Sequence, residues 1–130
     1  MSDDPRLKLI RDAFAAFVQR DVAGLVGFLH PEVESRVFPP LMNVGAWQGP
    51  MGFAEMTAGW EEAFGTIEYD IREIELPDER NALVAVHQTA TGAGSGVPVE
   101  LDVWFLIEFR GAQAVRFQIH ADRASALAAV

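Results

Sequence analysis

Titratable side chains that could carry out proton transfer cluster near the end of the chain, in the stretch RFQIHADRASAL, residues 116–127. A histidine close to a carboxylate can exchange protons near neutral pH, because the reference pKa of histidine is about 6.5. Strand alternation places His120 and Asp122 on one face, and Asp122 stands where an N-cap would precede a short helix. We therefore predict capping and surface roles for these groups rather than catalysis.

His87 and Gln88 are the other polar candidates, and alternation along their strand points them to opposite faces. Gln88 falls on the apolar face, where its amide can donate and accept hydrogen bonds but cannot transfer a proton. It would bond either a ligand carbonyl or hydroxyl, or backbone or water. His87 would be the natural proton carrier only if it turned inward.

Other cofactor and metal signals are weak. The three histidines lack metal-ligand spacing, cysteine is absent, and GAGSG at residues 92–96 joins two predicted strands without the lysine of a phosphate loop. We expect no metal and no cofactor, and we interpret GAGSG as a hairpin turn.

Composition limits the partners and the compartment. The net charge of -9 would repel nucleic acid and anionic membranes. The longest uncharged run, residues 37–54, contains three prolines, so it predicts a loop rather than a membrane span. The N-terminus has no secretory signal pattern, and we expect a cytoplasmic protein forming one domain over residues 1–130.

The spacing of apolar residues predicts an α+β fold. Helical periodicity marks residues 4–20, 21–30, 49–65 and a short C-terminal helix, and alternation marks strands at 32–38, 66–76, 81–91, 97–110 and 114–121. The last four strands should form an antiparallel meander. A bulge is expected near Arg72 or Glu73, where the apolar alternation of the strand at 66–76 shifts by one residue.

Alternation also separates two faces of the sheet. We expect an inner face that carries Val86, Phe105, Val115 and Phe117 beneath the helices. The polar outer face, which includes Gln118 and His120, should meet solvent.

The uncharged loop holds Leu41, Met42, Val44 and Trp47, which together would make a large exposed patch. A lid over a pocket, a dimer contact, or a satellite core would each cover them. Trp104 beside Leu106 on the outer face is a second candidate dimer surface, and we expect a homodimer.

Three sequence segments, in their order along the chain, resemble the SnoaL-like polyketide cyclase branch of the nuclear transport factor 2-like superfamily. They are FVQRDVAGLVGFLHPEVESRV, WQGPMGF and VELDVWFLIEFRGAQAVRFQIHADRASAL. The resemblance implies a curved, mostly antiparallel sheet wrapped around three N-terminal helices, with a cone-shaped pocket. Charged catalytic positions of the family's epoxide hydrolases would fall at Ile119, Val86 and Gln88. The base of its ketosteroid isomerases would fall near Phe38. None of these residues is an acid or an arginine.

We therefore predict a domain that binds a small hydrophobic molecule without the family's usual charged set. The alternatives are a cyclase or isomerase acting on a carbonyl compound through His87, Asp122 or Arg36, and an interaction module that uses the outer face. The predicted pocket residues are Val37, Met42, Trp47, Phe53, Met56, Trp60, Gln88, Leu101, Val103, Phe105, Phe117 and Ile119.

Overall fold

The computed structural model describes residues 4–91 and 98–130, and the predicted turn at residues 92–96 lies outside these ranges. The elements, in chain order, are α1 (Pro5–Val18), α2 (Val22–Phe28), β1 (Leu29–Val37), β2 (Gly45–Gln48), α3 (Gly49–Phe64), β3 (Thr66–Glu75), β4 (Asn81–Thr91), β5 (Pro98–Arg110), β6 (Gln113–His120) and α4 (Arg123–Ala128). In the described part of the chain, no helix has the length and apolar character needed to cross a membrane.

The six strands form one curved, open sheet in the order β2-β1-β6-β5-β4-β3. All neighbouring pairs are antiparallel except β1 and β6, which run parallel. The predicted α+β class and the meander of the last four strands are confirmed. Helices α1, α2 and α3 pack on the inner face, where residues such as Ile10, Phe28 and Met56 join the core with Val86 and Phe105.

Aspartates begin three of the four helices, because a side-chain oxygen can accept a bond from a free backbone N–H of the first turn. Asp4 accepts from the Arg6 backbone N–H at 2.9 Å, Asp21 from Gly24 at 3.1 Å, and Asp122 from Ser125 at 2.8 Å. The predicted cap at Asp122 is confirmed.

Two bulges set the phase of the inner face. The register of β3 on β4 shifts between Ile71 and Glu73, as predicted. A second shift places Ala114 opposite Phe109, so Val115 has no pairing partner on β5. Ala114 is therefore fully buried, and the assignment of Val115 to the inner face is wrong.

The segment predicted as a loop over residues 37–54 contains a strand. β2 pairs with β1 and places Trp47 opposite Ser35. Leu41 and Trp47 pack partly against the main core, whereas Met42 and Val44 are more than half exposed in the single chain, so the core covers only two of the four. Strand pairing, rather than apolar periodicity, decides the structure here.

Candidate functional site

An apolar cavity lies between helices α1, α2 and α3 and the inner face of the sheet, with a volume of about 60 Å³. Aromatic contacts hold its walls: Phe117 lies 5.3 Å from Phe53 and 5.0 Å from Phe105, measured between ring centroids. The lining residues are Ile10, Ala13, Phe14, Phe17, Leu25, Phe28, Phe53, Met56, Thr57, Trp60, Tyr69, Gln88, Phe105, Ile107, Phe117 and Ile119.

Seven of the twelve predicted pocket residues lie around this cavity: Phe53, Met56, Trp60, Gln88, Phe105, Phe117 and Ile119. The other five do not line it. Val37 and Val103 are buried in the core, Leu101 and Trp47 are half-buried, and Met42 is exposed. No residue between positions 38 and 52 contributes to the lining, so a lid over this cavity is not formed by that segment.

The walls contributed by α1 and α2 were not predicted. Ile10, Phe14 and Phe17 form the apolar stripe of α1, which identified the helix but not the surface that it faces. The same stripe could have been assigned to the cavity, because the apolar side chains on the inner face of the sheet must be buried by helices. Tyr69 on β3 was also missed, although it shares the inward phase of Ile67 and Ile71.

A single buried polar pair interrupts the apolar wall. The indole Nε1–H of Trp60 on α3 donates to the Oε1 of Gln88 on β4 at 2.9 Å. Both side chains are 3% exposed, and the Nε2 of Gln88 has no hydrogen-bond partner among residues 4–91 and 98–130. A buried donor left without a partner costs about 1–3 kcal/mol. The cavity thus carries one unused donor.

The remaining polar groups at the cavity carry no charge at neutral pH. Burial raises the pKa of Tyr69 above its ordinary value, the charge of Glu61 adds to the rise, and Arg20 opposes it. The Thr57 hydroxyl donates to the Ala54 carbonyl at 3.0 Å. Tyr69 is the only titratable residue among the described lining residues.

His87 lies on the outer face, away from the cavity. Its Nδ1 is 2.6 Å from Asp102 and its Nε2 is 3.1 Å from Glu100, and these two contacts raise the pKa of the imidazole. Because both ring nitrogens face carboxylates, the geometry suits a protonated ring held in a surface ion pair. The inward orientation that catalysis would require is not found.

His120 lies on the outer face as predicted, but the expectation that it and Gln118 meet solvent is wrong. They are 3% and 4% exposed, and the His120 Nε2 is 2.9 Å from the Gln118 Oε1. Phe38 stacks on the imidazole with ring centroids 4.4 Å apart. Burial lowers the pKa of His120, and the charge of Asp122 opposes this shift.

Helix α4 covers the neighbouring part of the outer face. Leu83 and Leu106 are fully buried there with Ala126, and Trp104 packs against them. The sequence predicts that Trp104 and Leu106 form an exposed surface. For Leu106 this prediction is wrong, because its side chain is buried. Alternation identified the face but not the C-terminal helix that shields it.

The other charged candidates have structural contacts. The Arg36 guanidinium lies 4.7 Å from the centre of the Phe38 ring, and Arg123 pairs with Glu75 at 2.7 Å. Arg116 pairs with Glu108 at 2.6 Å. Over residues 4–91 and 98–130, no three His, Asp or Glu residues are grouped so that they could hold a metal ion.

Comparison with known proteins gives a family and a fold. The family model of the SnoaL-like domain matches residues 10–117. Among curated proteins, no sequence match was found.

Three solved structures illustrate the shared fold. TerC, co-crystallised with polyporic acid, is 22% identical with a TM-score of 0.80, over 94% of this chain and 95% of its own. A nuclear transport factor 2-like protein of unknown function from Burkholderia pseudomallei is 20% identical with a TM-score of 0.78, over 98% of this chain and 97% of its own. The third is a hypothetical protein from Catenulispora acidiphila with a ketosteroid isomerase-like fold, in complex with trimethylamine. It is 12% identical with a TM-score of 0.75, over 98% of this chain and 92% of its own.

Proposed function

Because the protein belongs to the SnoaL-like domain family, we propose that it binds a small, neutral, hydrophobic molecule in the cavity beneath its helices. The observation that carries this proposal is the unpaired Nε2 of Gln88 in an otherwise apolar wall. A ligand that fills the cavity would bury its own apolar surface and could supply the missing acceptor. The organic molecules present in the TerC and Catenulispora acidiphila structures support a small ligand.

The lining favours a ligand without charge. No cation lies among the described lining residues, and Tyr69 stays protonated at neutral pH. A carboxylate or ammonium group would lose its hydration without gaining a partner of opposite charge, which is costly in an apolar site. Neutral ligands should therefore bind and their ionised analogues should not.

The cavity is too small to hold even a one-ring ligand without widening. A volume of about 60 Å³ is far below the roughly 300–1,000 Å³ of pockets for drug-sized molecules. It is also below the roughly 150 Å³ of an engineered cavity that binds benzene. A one-ring ligand therefore requires the cavity to widen. Met56 is suited to move, because its side chain is unbranched and adaptable.

The positions of the charged candidates favour binding over proton transfer. His87, Asp122 and Arg36 are engaged on the outer face, where each already has a partner. A carbonyl compound in the cavity would have no carboxylate or histidine beside it among the described lining residues to act as a general base.

Titration with toluene, followed by proton–nitrogen NMR, tests the proposal. We expect the indole N–H signal of Trp60 to move while that of Trp104 stays in place, and we expect benzoate to move neither. Ala13→Leu should fill the cavity from α1 and abolish the shift. Ala63→Leu, at an exposed position of α3, is the matched control. An unmoved Trp60 signal at the solubility limit of toluene would refute the proposal.

A further inference from the structure

We infer that Trp60 fixes the hydrogen-bond polarity of the cavity, so that the site selects ligands with a carbonyl-type acceptor. This inference rests on the proposed function and narrows its ligand class. It starts from the pair formed by the Trp60 indole and the Gln88 side chain, whose nitrogen and oxygen lie 2.9 Å apart.

The chemistry of the two groups leaves one arrangement. An indole N–H can only donate, whereas a primary amide has an oxygen that accepts and a nitrogen that donates. The amide oxygen must therefore face Trp60. Rotating the amide by half a turn would oppose two donors and leave the carbonyl unpaired, so the bond from Trp60 determines which end of the amide is free.

The strand places Gln88, with this buried free end, in the wall of the cavity. Gln88 is paired in register with Tyr69 on one side and Leu101 on the other, and its side chain shares the inner face with the lining residues. Its Nε2 is buried and has no partner in the described chain. The unused hydrogen-bonding capacity at this point of the wall is thus a donor.

A ligand oxygen of a neutral ketone, aldehyde or quinone complements such a donor. A hydrocarbon of the same shape would leave Nε2 unpaired, as it is without ligand. A group that can only donate would leave it unpaired as well. The site therefore discriminates by hydrogen-bond type in addition to size.

Acetophenone and α-methylstyrene test this inference, because they differ only in carrying C=O or C=CH2. The ketone is better hydrated in water, so the quantity to compare is the ratio of the two dissociation constants in each variant, measured by calorimetry or NMR titration. Gln88→Met keeps the side-chain volume and removes the amide donor, and combining it with Trp60→Phe also removes the indole N–H that Gln88→Met leaves unpaired. Trp60→Phe keeps Gln88 and frees its amide to rotate.

We expect the ratio to shift against the ketone by about tenfold in the double variant, which has no donor at this position; this is the size of one hydrogen bond. Trp60→Phe should lose part of the same preference, because the freed amide can turn either its oxygen or its nitrogen toward the ligand. In the wild-type protein, acetophenone should move the side-chain amide signals of Gln88 downfield, and α-methylstyrene should not. This measurement does not depend on the folding of either variant.

Two results would overturn the inference. An unchanged ratio in the double variant would show that neither donor of the pair contacts the ligand. A preference that is lost in the double variant and fully retained in Trp60→Phe would show that Trp60 does not set the polarity. Failure of toluene, acetophenone and α-methylstyrene to bind the wild-type protein would instead refute the proposed function.

Discussion

Breaking the Trp60–Gln88 pair from each side should give unequal losses of stability that do not add. Trp60→Phe leaves the Gln88 oxygen without a partner, beside the already unpaired nitrogen, which should cost about 1–3 kcal/mol of stability. It also removes part of a large buried ring, which should cost about 1–2 kcal/mol more. Gln88→Met leaves the indole N–H without a partner, which is destabilising, but removes the unpaired amide nitrogen, which is stabilising. These two effects on stability are of similar size. We expect about 2–5 kcal/mol for the first variant and less than about 1.5 kcal/mol for the second.

The double variant has no unpaired polar group at this position and also loses the unpaired nitrogen of the wild type, so the cost of the lost ring volume, about 1–2 kcal/mol, is offset by about 1–3 kcal/mol. It should be more stable than the sum of the single changes by about 2–6 kcal/mol. Urea denaturation of the four proteins at one pH measures this interaction free energy, provided that the m-values agree.

A control cycle combines Gln88→Met with Trp47→Phe, because Trp47 is half-buried and does not line the cavity. That cycle should be additive within about 0.5 kcal/mol. If the Trp60–Gln88 cycle were equally additive, the hydrogen bond would not exist in solution, and both proposals would lose their basis.

Further predictions concern pH, capping, cavity size and assembly. The raised pKa of His87 means that its ion pairs stabilise the fold below pH about 6.5 and that this contribution disappears as pH rises through the folded-state pKa. His87→Gln should therefore lower the melting temperature at pH 5.5 and leave it unchanged at pH 9, and equal losses at both values would contradict the ion-pair assignment. Asp122→Ala should lower the melting temperature by removing the cap of α4, whereas Asp122→Ser should retain most of it; equal effects would exclude capping. Met56→Ala should cost about 2–5 kcal/mol of stability while tightening toluene binding, and weaker binding would argue that Met56 does not limit the cavity. The homodimer stays a prediction from the sequence, and a concentration-independent monomer in sedimentation equilibrium would exclude it.

Much of the fold could be predicted because apolar spacing records burial directly. The stripe of α1, the meander of β3–β6 and the bulge after Ile71 all follow from the alternation of single residues. The family resemblance placed these elements around a curved sheet, and the match over residues 10–117 confirms it.

The errors arose where a distant segment decides burial. His120 and Gln118 are polar and alternate correctly, but α4 and Phe38 cover them. Val115 lost its inward position to a bulge, which alternation alone cannot reveal, since either phase leaves an apolar residue inside. The hydrogen bond between Trp60 and Gln88 joins residues 28 positions apart, and no local sequence pattern predicts it.

The parallel pairing of β1 with β6 has a consequence for synthesis of the chain. Leu29 pairs with Ala114 and Val37 with Ile119, so β1 lacks this neighbouring strand until residues 114–119 have left the ribosome. Until then, β1 with β2 and the later strands present unpaired backbone edges that invite association with other nascent chains. Closure of the sheet by β6 is thus the event that removes both edges together, and a chain truncated before β6 should be retained by chaperones rather than released.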